Sequence, residues 1–311
     1  MKVFVTGGAG QVGSTVIDML LARGDQVLAI DNFSTGRRDN LTNHANLRLV
    51  EDTIVDGSVV DRLFAEFKPQ VVIHTAASYK DPEDWGTDAL VNAAGTANIA
   101  KASKAHGVSR LIYFQTALCY GTKPTQSPIT LDHPINPVNS SYAISKTAGE
   151  HYVQFSGVDW VTFRLANVIG ERNVSGPLPI FFERLSGGKK CFVTPARRDF
   201  CYAPDLARVV VRAADGTGHG TYHFSSGRDV AIRELYDAVV AAMKLNDYPE
   251  PEVKPLGPDD AASILLDPSR TFADFGQIEF TPLPKIAEAA VERWKREGVQ
   301  GGYTHLKAAR S

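Results

Sequence analysis

A glycine-rich segment near the N-terminus, VFVTGGAGQVGS at residues 3–14, limits most strongly what this chain can fold into. Its glycines follow the β-branched run VFVT and precede the amphipathic run TVIDMLLARG, so the pattern predicts a strand, a tight turn and a helix. Gly7 permits the turn, Gly10 lets a pyrophosphate approach the backbone, and Gly13 allows the helix to pack closely. The first turn of such a helix offers free amides and the positive end of the helix dipole to phosphates.

An acid at the end of the next predicted strand strengthens this interpretation. Asp31 follows QVLAI, where a carboxylate can accept both ribose hydroxyls of an adenosine. Strand, glycine spacing and acid together favour a dinucleotide site over an ordinary glycine-rich turn. The charge of Asp31 would repel a 2′-phosphate and favours NAD over NADP. Arg37 and Arg38 are close enough in sequence to keep NADP as an alternative, unless they belong to a solvated loop.

Short β-branched runs alternate with longer helical patterns over the first half of the chain: KVFVT, QVLAI, LRLV, QVVIH, RLIYF and WVTFR. This alternation predicts an α/β fold, a Rossmann-type doubly wound parallel sheet with helices on both faces. We expect a first domain over residues 1–165 and a smaller, discontinuous C-terminal domain over residues 166–311, where Pro/Gly-rich stretches begin. Strand and helix signals return around residues 198–225, so we expect this segment to rejoin the first domain.

Composition excludes several classes of protein. The 33 Lys and Arg nearly cancel the 35 Asp and Glu, which argues against a nucleic-acid polymer as partner. Three cysteines, with no CxxC pair and no histidine cluster, predict reduced core thiols and no metal. The sequence has no secretory signal pattern and no apolar run near the roughly 20 residues that span a bilayer, so we expect a cytoplasmic protein without a membrane segment.

Tyr142 and Lys146 lie four residues apart in SSYAISKTAGEHYVQF, which offers a helix N-cap at Ser140 or Ser141. Residues i and i+4 share a helix face, and an arbitrary pair of this kind is usually a packed ring and a solvated charge. Here, however, the strand RLIYFQT ends upstream at Thr116, at the sheet edge where ligands bind. A hydride leaves a secondary alcohol only if the hydroxyl proton also leaves, and a neighbouring ammonium favours the phenolate that accepts it. We therefore predict Tyr142 as the base, with Lys146 beside it and Thr116 bonded to the same substrate oxygen.

Several motifs occur in the order typical of one family: TGGAGQVGS, DNFSTGRRDN, HTAA, NAAGTAN, QTALCYG, SYAISK, RLANVIG and RRDFCYAPDLA. Over nearly its whole length the chain resembles the extended short-chain dehydrogenase/reductases, and among them the NAD-dependent nucleotide-sugar epimerases and dehydratases. The stretches AASYKDPEDW and FQTALCYG are similar to epimerase/dehydratase proteins of bacterial O-antigen clusters.

The resemblance implies NAD as cofactor, a nucleoside diphosphate sugar as substrate of the C-terminal domain, and a role in polysaccharide biosynthesis. It also implies a homodimer that pairs two long helices, roughly residues 83–106 and 140–155. Thr116, Tyr142 and Lys146 match the catalytic positions, and Asn167 and Arg198 match substrate contacts. The matching cofactor contacts are Gly7, Gly10, Gln11, Val12, Gly13, Asp31, Asn32, Ser34, Gly36, Thr53, Ile54, Ala76, Ala77, Asn92, Tyr142 and Lys146.

Three departures from the family pattern matter. Thr53 stands where an Asp commonly touches adenine, and Gly257 and Pro258 stand where many members carry a second diphosphate-binding arginine. Ala117 and Leu118 follow Thr116, where dehydratases of the family place Asp-Glu. Hydrocarbon side chains cannot transfer protons, so the sequence favours C4 epimerisation of a nucleotide hexose, most simply a UDP sugar, through a 4-keto intermediate. A 4,6-dehydratase that uses Cys119 or Tyr79, a keto-sugar reductase, and a non-enzymatic dinucleotide-binding module remain alternatives.

Overall fold

The computed structural model describes residues 1–138, 140–257 and 260–299. Within them the strands are β1 (Lys2–Thr6), β2 (Gln26–Asp31), β3 (Leu47–Glu51), β4 (Val71–His74), β5 (Arg110–Thr116), β6 (Trp160–Leu165), β7 (Asn167–Ile169), β8 (Phe192–Val193), β9 (Arg197–Arg198), β10 (Phe200–Tyr202), β11 (Gly220–Phe224), β12 (Val230–Ala231), β13 (Glu252–Val253) and β14 (Ser263–Ile264). The α-helices are α1 (Gln11–Ala22), α2 (Gly57–Phe67), α3 (Trp85–Asp88), α4 (Thr96–Ala105), α5 (Ser141–Phe155), α6 (Pro177–Ser186), α7 (Ala203–Ala214), α8 (Ile232–Met243), α9 (Ser269–Phe275) and α10 (Leu283–Glu297). A π-helical segment, Ala89–Gly95, joins α3 to α4, and a 3₁₀ turn, Ala117–Tyr120, follows β5.

The main sheet has seven parallel strands in the spatial order β11-β6-β5-β4-β1-β2-β3. All six strands expected from the sequence are present, and the prediction of a Rossmann-type α/β fold is confirmed. The strand order reverses between β1 and β4, where Val5 pairs with Ile73 and Thr6 with His74. Such a reversal opens a crevice at the carboxyl ends of the strands, and ligands bind there in sheets of this kind.

Alternating side chains of the strands fill a core on each face of this sheet. Val3 and Val5 point toward α1 and α7, whereas Phe4 points to the opposite face and meets Phe64 of α2 edge-on at 5.2 Å between ring centroids. All three strand residues are fully buried. Burial on both faces explains why the strands read as continuous apolar runs, and it gives the carboxyl edge a rigid base.

After Leu165 the chain leaves the main sheet and returns to it with β11, which pairs in parallel with β6. The remaining C-terminal part has a core of its own, in which Leu178 of α6, Leu235 of α8 and Trp294 of α10 are buried together. The domain boundary at residue 165 stays a prediction. Pro258, one of the noted departures, lies outside the described residues. Among those described, no helix combines the length and the apolar character needed to cross a bilayer.

Candidate active site

Two glycines of the N-terminal glycine-rich segment leave no room for a side chain. Gly7 adopts φ +64°, and a Cβ there would lie 2.7 Å from the backbone of Ala76 on the loop after β4. A Cβ on Gly13 would lie 2.3 Å from the carbonyl oxygen of Gly7. Gly10 is the N-cap of α1 and has no side chain with which to cap it. The first-turn amides of α1 are therefore open toward the crevice, which suits a pyrophosphate.

Asp31 ends β2 with its carboxylate fixed by two backbone amides. Oδ2 accepts the N–H of Ala9 at 2.9 Å and Oδ1 accepts that of Phe33 at 2.8 Å. Burial raises the pKa of Asp31, and the two amide bonds act in the opposite direction. A Cβ on Gly36 would lie 2.7 Å from Oδ1, so glycine is needed for the loop to pass the acid. The carboxylate is thereby oriented to receive a ribose diol.

Both arginines that kept NADP as an alternative have acidic partners. Arg37 forms an ion pair with Asp39, and Arg38 forms one with Glu51 while its guanidinium stacks 4.2 Å from the ring centroid of Phe33. Their charges are thus compensated by carboxylates next to them. This arrangement fits an unphosphorylated ribose at Asp31 better than a 2′-phosphate.

A cavity of about 310 Å³ lies over the carboxyl ends of β1, β2 and β4. From the predicted cofactor contacts its lining includes Gly7, Gly10, Asp31, Asn32, Ser34, Gly36, Thr53, Ile54, Ala76 and Ala77. The lining residues that the sequence interpretation did not assign to the cofactor include Asp52, Thr75, Ser78, Tyr79, Lys80, Asp81, Asp84, Thr87 and Val91. These residues could have been found from the sequence, because most of them lie in the segment between β4 and α4. That segment leaves the sheet at its topological switch point, where ligands bind.

The other predicted cofactor contacts lie around this cavity. Gln11, Val12 and Gly13 form the first turn of α1, and the Gln11 side chain donates to the carbonyl of Val168 at 3.1 Å, so it is turned toward β7. Asn92, fully buried in the π-helical segment, accepts the N–H of Ser78 at 2.8 Å and donates to its carbonyl at 3.0 Å. Asn92 therefore fixes the loop that lines the cavity.

Tyr142 and Lys146 lie one turn apart on α5, whose N-terminus is capped by Ser140 through a 3.3 Å bond from Ala143 N–H. Lys146 is 2% exposed, and its Nζ lies 4.1 Å from the ring centroid of Tyr113. Burial lowers the pKa of Lys146 to about 7, against an opposing effect of Glu150. Lys146 is therefore a buried lysine that titrates near neutrality, which the spacing alone could not indicate.

Tyr79 covers the catalytic tyrosine candidate. Its ring centroid lies 4.3 Å from that of Tyr142, and its hydroxyl lies within electrostatic range of Arg198 on β9. Arg198 is anchored by a 2.8 Å bond from Nη1 to the carbonyl of Ala261, and burial lowers its pKa. Arg198 thus lies within electrostatic range of Tyr79, a residue of the cavity lining, whereas Asn167 is exposed on β7.

Thr116 stands at the end of β5, where its Oγ1 accepts the N–H of Leu118 at 3.1 Å. Ala117 is buried, and Leu118 packs against a small apolar cluster that contains Cys119. Burial raises the pKa of Cys119 to about 12, so its thiol is not ionised at neutral pH. No proton-transfer group thus follows Thr116 directly.

Comparisons with known proteins agree with this geometry. A family model described as the NAD dependent epimerase/dehydratase family matches residues 3–224. The UDP-glucose 4-epimerase of Mycolicibacterium smegmatis is 35% identical over 289 residues, which cover 87% of this chain and 91% of that protein. The solved structure of the Bordetella bronchiseptica enzyme WbmH in complex with NAD+ is 63% identical, with a TM-score of 0.94 over 96% of this chain and 99% of that one. The B. bronchiseptica enzyme WbmG in complex with NAD and UDP is 40% identical, with a TM-score of 0.90 over 98% of each chain.

Proposed function

Because this chain belongs to the NAD-dependent epimerase/dehydratase family, we propose that it is an enzyme that inverts carbon 4 of a UDP-linked hexose, with NAD as its cofactor. One observation carries the reaction type. The two residues directly after Thr116, Ala117 and Leu118, have hydrocarbon side chains. Tyr142 and Lys146 are both present on α5. The site can therefore move a hydride and a proton at one carbon, but it has no acid in the position from which dehydratases of the family eliminate water.

NAD, when bound, supplies a hydride acceptor that later returns the same hydride. Tyr142 accepts the proton of the C4 hydroxyl through its phenolic oxygen, and Thr116 orients that hydroxyl from the end of β5. The positive charge of Lys146 stabilises the negative charge on the phenolic oxygen. After the 4-keto sugar has turned over in the pocket, Tyr142 returns the proton and the opposite configuration results.

Two relatives favour a UDP-linked sugar as the substrate. WbmG was solved with UDP, and the M. smegmatis relative is a UDP-glucose 4-epimerase. Arg198 is held rigidly near Tyr79, where its guanidinium can bond a diphosphate in a forked geometry. We assign Asn167, exposed on β7, to the same substrate. We also propose a role in polysaccharide biosynthesis, which the sequence resemblance supports, and a cytoplasmic location, which three free, buried thiols support.

We further propose that the enzyme is a homodimer. Exposed apolar side chains lie on two long helical stretches: Trp85, Leu90, Ile144, Tyr152 and Phe155. Of the Phe155 surface, 84% is exposed, and residues 144, 152 and 155 fall on one face of α5. Phe155→Glu should yield a monomer in light scattering after size exclusion, whereas the control Val253→Glu, at an exposed apolar residue of β13, should not. A monomeric wild-type chain would contradict the proposal.

The decisive experiment follows a panel of UDP sugars by NMR in heavy water. A C4 epimer without deuterium on carbon is expected, because the hydride never leaves the pocket. Deuterium at C5 together with a 6-deoxy-4-keto product would establish a dehydratase. Consumption of one NADH or NADPH per turnover would establish a reductase, and binding of NAD without any turnover would leave a dinucleotide-binding module.

A further inference from the structure

Gln115, the residue before Thr116 on β5, is buried with 1% of its surface exposed. Its side-chain oxygen accepts the backbone N–H of Thr116 at 2.8 Å, and its nitrogen donates to Oε2 of Glu150 at 3.1 Å and to Oγ1 of Thr147 at 3.3 Å. The orientation of the amide is set by its neighbours, because a backbone N–H only donates and a carboxylate only accepts. The side chain thus links Thr116 to α5 through bonds that use both ends of the amide.

The end of β5 needs this support because it extends beyond its neighbour on one side. The pairing of β4 with β5 stops at His74 and Tyr113, whereas the pairing of β6 with β5 continues to Leu165 and Thr116. Thr116 therefore has a strand beside it only on the β6 side. The acceptor for the backbone N–H of Thr116 is the Gln115 side-chain oxygen.

Glu150, the anchor of this link, is held from several directions. Oε1 accepts from Arg164 of β6 through Nη2 at 3.1 Å and Nε at 3.3 Å, and Arg164 Nη1 donates to the hydroxyl of Tyr120 at 2.6 Å. His223 completes the chain, with Nδ1 3.0 Å from the carbonyl of Asp267 and Nε2 2.6 Å from the Tyr120 oxygen. Because a carbonyl can only accept, Nδ1 carries the proton and Tyr120 donates to Nε2. The network ties α5 to both ends of the turn that follows Thr116.

We propose that Gln115 is a positioning residue that fixes the hydroxyl of Thr116 relative to Tyr142 by bridging the end of β5 to Glu150 on the catalytic helix. The inference rests on the proposed function, which gives Thr116 a bond to the substrate oxygen. A displacement of about 1 Å at such a group can reduce turnover by roughly 10²-fold. We therefore expect Gln115→Met, which keeps the length of the side chain but removes its amide, to lower kcat by about 10- to 100-fold and to leave KM and NAD content unchanged.

A double-mutant cycle with Thr116→Val separates positioning from general damage. If Gln115 acts through the Thr116 hydroxyl, Gln115→Met should lower kcat in the wild-type background and change it by less than about twofold in the Thr116→Val background. Equal losses in both backgrounds would overturn the inference. Hydrogen–deuterium exchange resolved to the Thr116 amide gives a readout independent of turnover, and Gln115→Met should accelerate that exchange.

If Gln115→Met does not fold, an exchange of the side chains at positions 115 and 150 tests the bridge instead. In Gln115→Glu with Glu150→Gln, the new amide at 150 donates to the new carboxylate at 115, which still accepts the Thr116 N–H and stays near Arg164. We expect this double variant to recover kcat to within about threefold of wild type, and each single change to remain impaired. Failure of the double variant to exceed either single one refutes the bridge. If the wild-type enzyme epimerises no sugar, the proposed function fails, and the bridge is judged on Thr116 exchange alone, where an unchanged rate overturns it.

Discussion

Replacing Lys146 with methionine should make the folded apoprotein more stable while nearly abolishing turnover. Methionine keeps most of the apolar volume beside the Tyr113 ring, where Lys146 Nζ lies 4.1 Å from the centroid. Methionine removes the positive charge of Lys146, a residue that is 2% exposed. A buried charge is expected to reduce stability when its partners do not repay the cost of removing it from water.

The magnitude follows from the pKa of Lys146, which burial lowers from 10.5 to about 7. This difference corresponds to about 5 kcal/mol between the charged and neutral forms, as an upper bound. Because the unfolded chain binds more protons than the folded one between pH 7 and 10.5, the stability of the wild type rises with pH across that window. The advantage of Lys146→Met should therefore be largest at pH 6, a few kcal/mol, and should vanish as pH approaches 10.5.

Urea denaturation of NAD-free protein at pH 6, 8 and 10 measures this advantage. The matched control is Lys101→Met, at an exposed lysine of α4, for which the difference from wild type should be small and independent of pH. A Lys146→Met variant that is less stable than wild type at pH 6, or a difference that does not change with pH, would refute the reasoning about the buried charge.

Three further substitutions test the cofactor site and the base. Tyr142→Phe should retain the fold and bound NAD but lose about 10²- to 10⁴-fold in turnover. The control Tyr152→Phe, at an exposed phenol on the same helix, should keep its turnover. Equal activity of the two variants would show that Tyr142 is not the base. Asp31→Ala should weaken NAD binding by at least about tenfold in calorimetry, because the ribose loses its acceptor; an unchanged affinity would contradict that role. Gly13→Ala should abolish NAD binding, because its Cβ would lie 2.3 Å from a carbonyl oxygen, whereas Gly86→Ala, whose Cβ meets only a side-chain oxygen at 3.8 Å, should be tolerated.

The fold could be predicted from the sequence because its signals are local. Buried parallel strands read as β-branched runs, and the glycine spacing before α1 is needed by the turn itself, whose Gly7 has φ +64°. The two-residue strands, such as β8 (Phe192–Val193) and β9 (Arg197–Arg198), could not be predicted, because each depends on a partner distant in sequence. A strand that short has too little periodicity to be recognised.

The candidate site was predictable only where its signals are local in the sequence. Spacing indicates that Tyr142 and Lys146 share a helix face, but it does not indicate how deeply that face is buried. The bond between Gln115 and Glu150 joins residues 35 positions apart, and buried polar partners of this kind leave no periodic pattern. Asp52, beside the expected Thr53, lines the cavity because the loop after β3 places both residues there.

The buried charges around α5 bear on the anion proposed for Tyr142. Lys146 and Arg164 are basic groups there and Glu150 is an acidic one, with Arg164 bonded to Glu150 at 3.1 Å. Asp88 of α3, a second buried acid, bonds to Ser141 at the start of the helix, and burial raises its pKa. Burial lowers the pKa of His74 to about 3 and that of His223 to about 4, so both rings are neutral at pH 7 and add no charge. When Lys146 is protonated, Lys146, Arg164 and Glu150 together therefore carry one excess positive charge.

A negative charge on the Tyr142 oxygen would neutralise that excess. Glu150 has two opposing effects, because it stabilises the ammonium of Lys146 and also weakens the positive potential near Tyr142. Arg164 limits the second effect by pairing with Oε1 of Glu150. On this reasoning, the arginine on β6 belongs to the electrostatics of the site through Glu150, and its pairing with that carboxylate is a condition for a lysine-assisted tyrosine base.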